Sequence, residues 1–507
     1  MLAKTQTVAF EGIGTHSVHV EINIGQGLPG VYMVGMASTG VNEAKDRIKT
    51  AARNQKLAWP KTKVIVSLVP GDLPKQGTHF DLAIAVGIIV AEQRLSPVID
   101  LDSIVFMGEV GLDGKLHGVP GALAACVHAH AQHCRVVVVP QANETDVAGF
   151  HGIDVRLAPD LASVIRWLSG AEDLPTPGQQ RSLHMMRTKE LDMNQISGQA
   201  EAKHAAEVAA AGGHHVFFIG PRGSGKSMIA ARLPTIMAPL AEQQQLETAI
   251  IHQSIAWGTH SLSEMAPFVA PHHRLSEAAL IGGGSGKAKP GAVSLAHHGV
   301  LFLDEVTQIP ARVLDALRIP LEQREVRLQR QHRCIVFPAN FLLVLAANPC
   351  RCEASDPSQC HCSPRERQTH FANISGPLRD RIDIFAKTYP RGTLGTDEDI
   401  ESSATIAQRT AAARDRARFR WQNAGQDTVL NAEVSPSFLR RNFPPNDEGL
   451  ALIGHYLAQG TVTQRGVDRA IKLAWTLADL EACAIPTLDH VYRALQLRTA
   501  NTNSGEA

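Results

Sequence analysis

Residues 220–227 read Gly220-Pro221-Arg222-Gly223-Ser224-Gly225-Lys226-Ser227, a complete GxxxxGK[ST] loop between an apolar run, Val216 to Ile219, and a helical pattern. In such a loop the backbone N–H groups face phosphates, the lysine reaches the β and γ oxygens, and the hydroxyl after it binds Mg²⁺. The chemistry is binding of ATP with Mg²⁺; a chance glycine-rich turn would not need the strand before it and the helix after it. About eighty residues later the apolar run Leu301-Phe302-Leu303 ends in Asp304-Glu305. That places one carboxylate near the metal and the next where it polarises an attacking water. A third apolar run, FLLVLAANP, ends at Asn348, which is placed to orient water or the γ-phosphate; a turn-forming Asn before Pro349 is the bland alternative.

Four of the eight cysteines form two CxC pairs, Cys350/Cys352 and Cys360/Cys362, with seven residues between them. Four thiolates on one short loop match tetrahedral structural Zn²⁺, with no coordination position left for catalysis. Reduced thiols in a loop and a redox-sensitive disulfide are the alternatives. The other cysteines (Cys126, Cys134, Cys334, Cys483) are scattered, as expected in a reducing cytoplasm.

These residues need a scaffold. At about 150 residues per domain, 507 residues imply about three domains. Apolar residues at 44% and charged residues at 19% are those of a globular chain. Lys+Arg 49 balance Asp+Glu 49, so no whole-protein field draws nucleic acid or a membrane, and any such contact is local. The longest apolar run, Leu82 to Ala91, is about half of what a bilayer requires, and the N-terminus lacks a signal-peptide pattern, so a cytoplasmic protein without a membrane partner is expected.

Alternating strand-like and helical stretches predict an α/β domain over 1–169, a Pro/Gly-rich linker over 170–193, an α/β core with a parallel sheet over 194–390, and an all-helical domain over 391–507. The fold class is α/β multidomain.

The ordered motifs GPRGSGKSM, PHHRLSEAALIGGG, PGAVSLAHHGVLFLDE, LRIPLEQREV, AANPCRC and SGPLRDRIDI resemble the magnesium-chelatase-like AAA+ ATPases of the YifB/ComM type over nearly the whole chain. The resemblance implies a Lon-protease-like N-terminal domain, an AAA+ core and a C-terminal helical lid, assembled as a homo-hexamer. It makes Asp304 and Glu305 the Walker B pair, Asn348 the first sensor, Arg381 an arginine finger reaching the neighbouring subunit, and Arg465 the second sensor. The family shares the CxC arrangement. It usually has two leucines where this chain has Leu378-Arg379, so Arg379 is an alternative finger, and an acidic Leu-Pro turn where this chain has Val306-Thr-Gln-Ile. Alternatively, Arg381 pairs with Asp380 or Asp383, and Arg465 or Arg469 is a solvated helix-face arginine.

The stretch Pro70 to Leu82, with Met107 to Gly121, looks like the Lon protease domain, but the nucleophile position falls on His79 and the lysine position near Leu123, so no protease activity is expected. Lys75 and Lys115 read as solvated surface lysines, or else as contacts to partners or phosphate.

The stretch EQREVRLQRQHRCIVFP, carrying Arg324, Arg327, Arg330, His332 and Arg333, resembles a β-hairpin that projects into the central pore. Six copies would form a basic collar tracking DNA phosphates. A second candidate is the glycine-rich 272–289 loop with Arg274, Lys287 and Lys289; taken singly, each segment is more often a solvated edge or loop, and only the ring context favours DNA. His297 and His298 read as packing residues. The expectation is an ATP-driven DNA motor acting on branched DNA, single strands or duplex junctions, promoting branch migration during integration of DNA by homologous recombination and natural transformation, with recombination proteins as partners. A chelatase-type motor that remodels a protein and an ATP-gated scaffold are its rivals.

Overall fold

A computed structural model describes residues 1–36, 38–178, 191–255, 261–284, 288–330, 333–352, 360–389 and 401–499. Lys287 and His332 lie outside the described residues, and so do the side chains of Arg330 and Arg333. The chain divides into two compact units: Met1–Ser182 with Glu242–Ser263, and Leu183–Ala241 with Glu264–Ala507.

The first unit is built on a seven-stranded sheet in the order Gly30–Val34, Lys63–Val69, Gly14–Gly25, Leu2–Glu11, Ile104–Phe106, Val136–Pro140, Asp154–Ala158. The Leu2–Glu11/Gly14–Gly25 hairpin and the Gly14–Gly25/Lys63–Val69 pair are antiparallel; the remaining neighbours are parallel. The long apolar run proves to be the helix Asp81–Gln93, buried from Asp81 to Ala91 in the core of this unit. A helix apolar all round has to be covered on every side. The closeness is visible at Gly87, where a Cβ would stand 2.0 Å from Ile22 Cδ1. Among the described residues no helix is long and apolar enough to cross a membrane.

His79 and Leu123, at the two positions the protease chemistry would need, are both buried. The Nε2 of His79 lies 2.9 Å from Val8 O. The reading of Lys75 as a surface lysine is overturned: the side chain is fully buried and its ammonium donates to Pro70 O. Lys115 is solvated, 74% exposed beside Asp113. The helix Glu242–Gln253 comes from inside the 194–390 stretch yet groups with this unit, where Gln253 Nε2 donates to Asp146 O (2.9 Å) and Leu123 N donates to Gln253 Oε1 (3.4 Å).

The second unit holds a five-stranded, all-parallel sheet in the order Phe268–Val269, Val300–Leu303, Leu342–Ala347, Val216–Ile219, Ile384–Lys387. The three apolar runs of the sequence are its central strands, adjacent in the register Val300↔Leu342 and Val216↔Val344. Apolar throughout because both faces are covered, they end together at one edge, where the loops carry the polar residues. C-terminal to the sheet come the helices Ser403–Asn423, Pro436–Asn442, Asp447–Ala458, Gln464–Leu480 and Leu488–Thr499. They share a core with the sheet's helices Ala200–Gly212 and Lys226–Ile236. Trp421 and Trp475 meet edge to face with centroids 5.9 Å apart, and Arg420 lies over both rings while pairing with Asp479 at 2.5 Å. Trp475 thus fixes the helix Gln464–Leu480, which bears Arg465 and Arg469.

Candidate functional site

The loop after Val216–Ile219 folds as a phosphate cradle for reasons local to its glycines. Gly223 and Gly225 sit at φ +76° and +88°, a region that L side chains avoid. At Gly220 a Cβ would come within 2.0 Å of Thr388 Oγ1 and 2.3 Å of Thr388 O. Ser224 Oγ lies 2.6 Å from the same Thr388 hydroxyl, so the strand Ile384–Lys387 closes the loop from one side. The helix starts at Lys226, directing its first N–H groups at the cradle.

Lys226 Nζ donates to Gly220 O (2.6 Å), Pro221 O (2.8 Å) and Asn348 Oδ1 (3.1 Å), which hold the ammonium at the mouth of the loop. Ser227 Oγ donates to Asp304 Oδ2 at 2.8 Å. A hydroxyl and a carboxylate that close are spaced to share one small octahedral cation, so this donor set fits Mg²⁺. Arg222 is exposed on the loop. Glu305 follows with φ +49°, and its carboxylate lies 3.4 Å from His273 Nδ1.

Beside these residues a cavity of about 410 Å³ is lined by Glu305, Thr307, Asn348, Cys350, His370 and Asn373, among others. His370 Nε2 stands 3.1 Å from Asn348 O and 3.2 Å from Thr307 Oγ1, and Asn373 Nδ2 donates to Thr307 O at 2.8 Å. Asn348 and the turn after Asp304-Glu305 are therefore cross-linked through one imidazole.

Two residues beyond Asn348 the thiol cluster begins. Cys350 Sγ is 3.1 Å from Cys352 Sγ and 3.4 Å from Cys360 Sγ, and all four sulfurs, Cys362 included, lie within 4.8 Å of one another. Four sulfurs gathered this closely are a donor set for one tetrahedral soft cation.

The arginines divide. Arg465 is exposed at the start of Gln464–Leu480, whereas Arg469 is bound to Asp383 and to Arg381 O. Arg381 pairs with Glu322, not with Asp380 or Asp383, and donates to Pro377 O at 2.6 Å; Arg379 is exposed.

The strands Glu325–Arg330 and Arg333–Pro338 pair antiparallel from Glu325↔Pro338 to Arg330↔Arg333. The pair Val326 and Phe337 is buried, while Arg327 and Val336 on the opposite face are exposed. Arg327 is bridged to Glu325 at 2.5 Å. Arg324 precedes the strands, in a left-handed conformation, and pairs with Glu433 at 2.9 Å. It therefore belongs to the base of the hairpin. In the 272–289 segment, Gly282↔Pro290 and Gly283↔Lys289 pair antiparallel, and Lys289 is exposed. His297 is a packing residue, with Nδ1 accepting from Asn340 N at 3.0 Å.

Thr388, His273 and His370 escaped the sequence reading. Thr388 and His370 stand in no glycine-rich or acidic signature, and His273 lies at the start of the glycine-rich 272–289 loop; each reaches the site from a distant part of the chain. Only His273 left a signal, in the paired histidines of PHHR.

Three family models match the chain: "Magnesium chelatase, subunit ChlI" over residues 192–393, "Subunit ChlI of Mg-chelatase" over 20–143, and "Magnesium chelatase, subunit ChlI C-terminal" over 400–498. An uncharacterized protein of Mycobacterium tuberculosis is 40% identical over 98% of both chains. The uncharacterized protein YifB of Escherichia coli is 35% identical, and the competence protein ComM of Haemophilus influenzae 33%, each over 98% of this chain and 97% of its own.

Proposed function

Because the chain belongs to the magnesium chelatase subunit ChlI family of AAA+ ATPases, we propose that it is a hexameric, ATP-driven DNA motor that promotes branch migration when DNA is integrated by homologous recombination and natural transformation. The observation that carries the motor reading is the hydrolytic set at the strand ends, Lys226 with Asn348 and Ser227 with Asp304. The paired strands Glu325–Pro338 emerge within the same unit, between the Walker B turn and the sensor strand.

In this reading Lys226 and the loop N–H groups hold the β- and γ-phosphates, and Ser227 and Asp304 hold Mg²⁺. The cation neutralises charge that develops on the transferred phosphoryl group. Glu305 orients the attacking water and Asn348 the γ-phosphate. Arg381, or Arg379 beside it, reaches the neighbouring subunit's nucleotide, while Arg465 reaches its own from the lid. Arg327, Arg330 and Arg333 on the hairpin, with Lys287 and Lys289 on the glycine-rich loop, track DNA phosphates. Arg324 supports the hairpin base through Glu433. Zn²⁺ held by Cys350, Cys352, Cys360 and Cys362 makes a structural staple next to the sensor. The compartment is the cytoplasm, and recombination proteins are the expected partners.

The test is ATP-dependent dissociation of a synthetic four-way DNA junction by the purified protein, with Glu305→Gln as control. Junction dissociation by the wild type alone is the expected result. No dissociation by rings that do hydrolyse ATP would favour the second reading, a chelatase-type motor that remodels a protein partner. That reading has in its favour the three chelatase family models and the acidic partners that already engage Arg324 and Arg327.

A further inference from the structure

The segment Arg379 to Asp383 links the short helix Gly376–Arg379 to the strand Ile384–Lys387. Its backbone is gripped by the last two helices of the chain. Arg469 Nη1, from Gln464–Leu480, donates to Arg381 O at 3.0 Å and also pairs with Asp383. Arg498 Nη1, from Leu488–Thr499, donates to Ile382 O at 2.8 Å. Asp383 is buried, and its other carboxylate oxygen accepts from His215 N at 3.1 Å, at the start of the strand that leads into the phosphate loop. One carboxylate therefore ties lid helix, finger segment and nucleotide strand together.

Arg465 and Arg469 are four residues apart on one helix, so they share a face about 6 Å apart along its axis. The helix is rigid, being buried at eleven positions from Gly466 to Asp479. A movement that brings Arg465 onto a nucleotide must also carry the Arg469 guanidinium, and with it the carbonyl of Arg381. Arg381 is itself poised for resetting. It is bound to the exposed Glu322, and its buried Nε has no acceptor among the described residues.

We propose that Arg469 is a positioning residue that couples occupancy of a subunit's own nucleotide site to placement of the Arg379–Arg381 segment against the neighbouring subunit's nucleotide. This rests on the ring proposed above. The requirement on placement is strict, since a misplacement of about 1 Å can cost about 100-fold in rate.

The experiment uses the full chain and two conservative variants, Arg469→Lys and Arg498→Lys, each keeping a positive charge but shortening the reach to the segment's carbonyls. Ring assembly and KM for MgATP should stay within about twofold of wild type, with kcat about tenfold lower for Arg469→Lys and a smaller fall for Arg498→Lys. Arg469→Lys is then mixed with Glu305→Gln, whose own sites are dead but whose finger segments are intact. If Arg469 acts on the neighbour's site, mixed rings regain up to about a quarter of wild-type turnover, because a Glu305→Gln subunit can serve an Arg469→Lys site. A residue that only supports its own subunit's fold gives no recovery.

Arg381→Ala and Arg379→Ala, mixed in the same way, identify the finger. Recovery by one of them together with Arg469→Lys supports the coupling. Recovery by a finger variant without Arg469→Lys overturns the coupling and leaves the finger standing. Recovery by neither finger variant overturns the finger reading, and the coupling with it.

Discussion

Lys226 Nζ and Asn348 Oδ1 are joined by a 3.1 Å hydrogen bond that spans 122 positions of the chain. The loop lysine and the strand-end asparagine are thus preset relative to each other by adjacent parallel strands, Val216–Ile219 and Leu342–Ala347. Asn348→Ala leaves the lysine its two loop carbonyls and removes the group proposed to face the γ-phosphate. The expected result is a kcat lower by about 10- to 100-fold with KM changed less than about threefold, measured in a steady-state ATPase assay.

Glu305 is held near His273, 3.4 Å away, in a contact that would compete with the water-orienting role proposed for it. A partly exposed pair of this kind contributes at most about 1 kcal/mol, so His273→Ala should raise basal turnover by up to about fivefold. Glu305→Gln/His273→Ala should be as inactive as Glu305→Gln. A fall in basal turnover on His273→Ala would mean that the histidine aligns the glutamate for hydrolysis.

The hairpin carries Arg327 exposed on one face and Arg330 at the last described pair. Replacing both with alanine should lower DNA-stimulated ATPase by about tenfold and flatten its salt dependence by about one contact per arginine, with basal ATPase and ring size unchanged. DNA titrations at two salt concentrations measure this, and unaltered stimulation removes the hairpin from the DNA path.

Metal analysis of the purified chain should return about one zinc per chain, and Cys352→Ser or Cys360→Ser should lower it to near zero. Because Cys350 lines the same cavity as Asn348, loss of the metal should reduce kcat more than KM. Wild-type protein carrying far less than one zinc per chain rules the staple out.

Acid should loosen the second unit in a definite window. Burial first, and then the positive charge of Arg469, pull the His215 imidazole from 6.5 down to about 4 against the pull of Asp383. Its Nδ1 accepts from Leu343 N at 3.1 Å, which requires that nitrogen to be unprotonated. The unfolded chain takes up a proton below about 6.5 and the folded chain does not. The stability is therefore full above that value and falls as the pH drops towards about 4, by up to about 2 kcal/mol at pH 5. Asp383 is also buried, but Arg469 and the neighbouring histidines hold it well below the usual carboxylate range, so its contribution declines in the same direction at lower pH. Urea unfolding at pH 7 and pH 5 should show the loss in wild type and a smaller one in His215→Asn, whose amide oxygen accepts the same N–H without titrating.

What was legible from the residues follows the range over which each contact acts. The phosphate loop, the Asp304-Glu305 strand end and the sensor strand are written in consecutive residues, because each needs only local backbone geometry and an apolar strand before it. His370 and Thr388 complete the same site through contacts that cross 22 and 164 positions, and no local pattern marks them. Lys75 differs from expectation for a related reason: a lone lysine in a Pro/Gly-rich stretch reads as surface, and only the fold lays Met36 and Ser38 against its backbone and buries its side chain. Arg324 belongs to the same basic run as Arg327, but a left-handed turn separates it from the strands and hands it to Glu433.

The excursion of Glu242–Gln253 into the first unit makes the expected linker, 170–193, a poor place to cut the chain. A fragment that starts after the linker would carry this helix away from Asp146 and Leu123, leaving Gln253 and Ile251, fully buried in the intact protein, open to water. Expression of the second unit alone should therefore begin with deletion of 242–263 and a short bridge in its place. The same discontinuity orders synthesis on the ribosome: the first unit cannot be completed until about 105 residues beyond its own last strand have emerged.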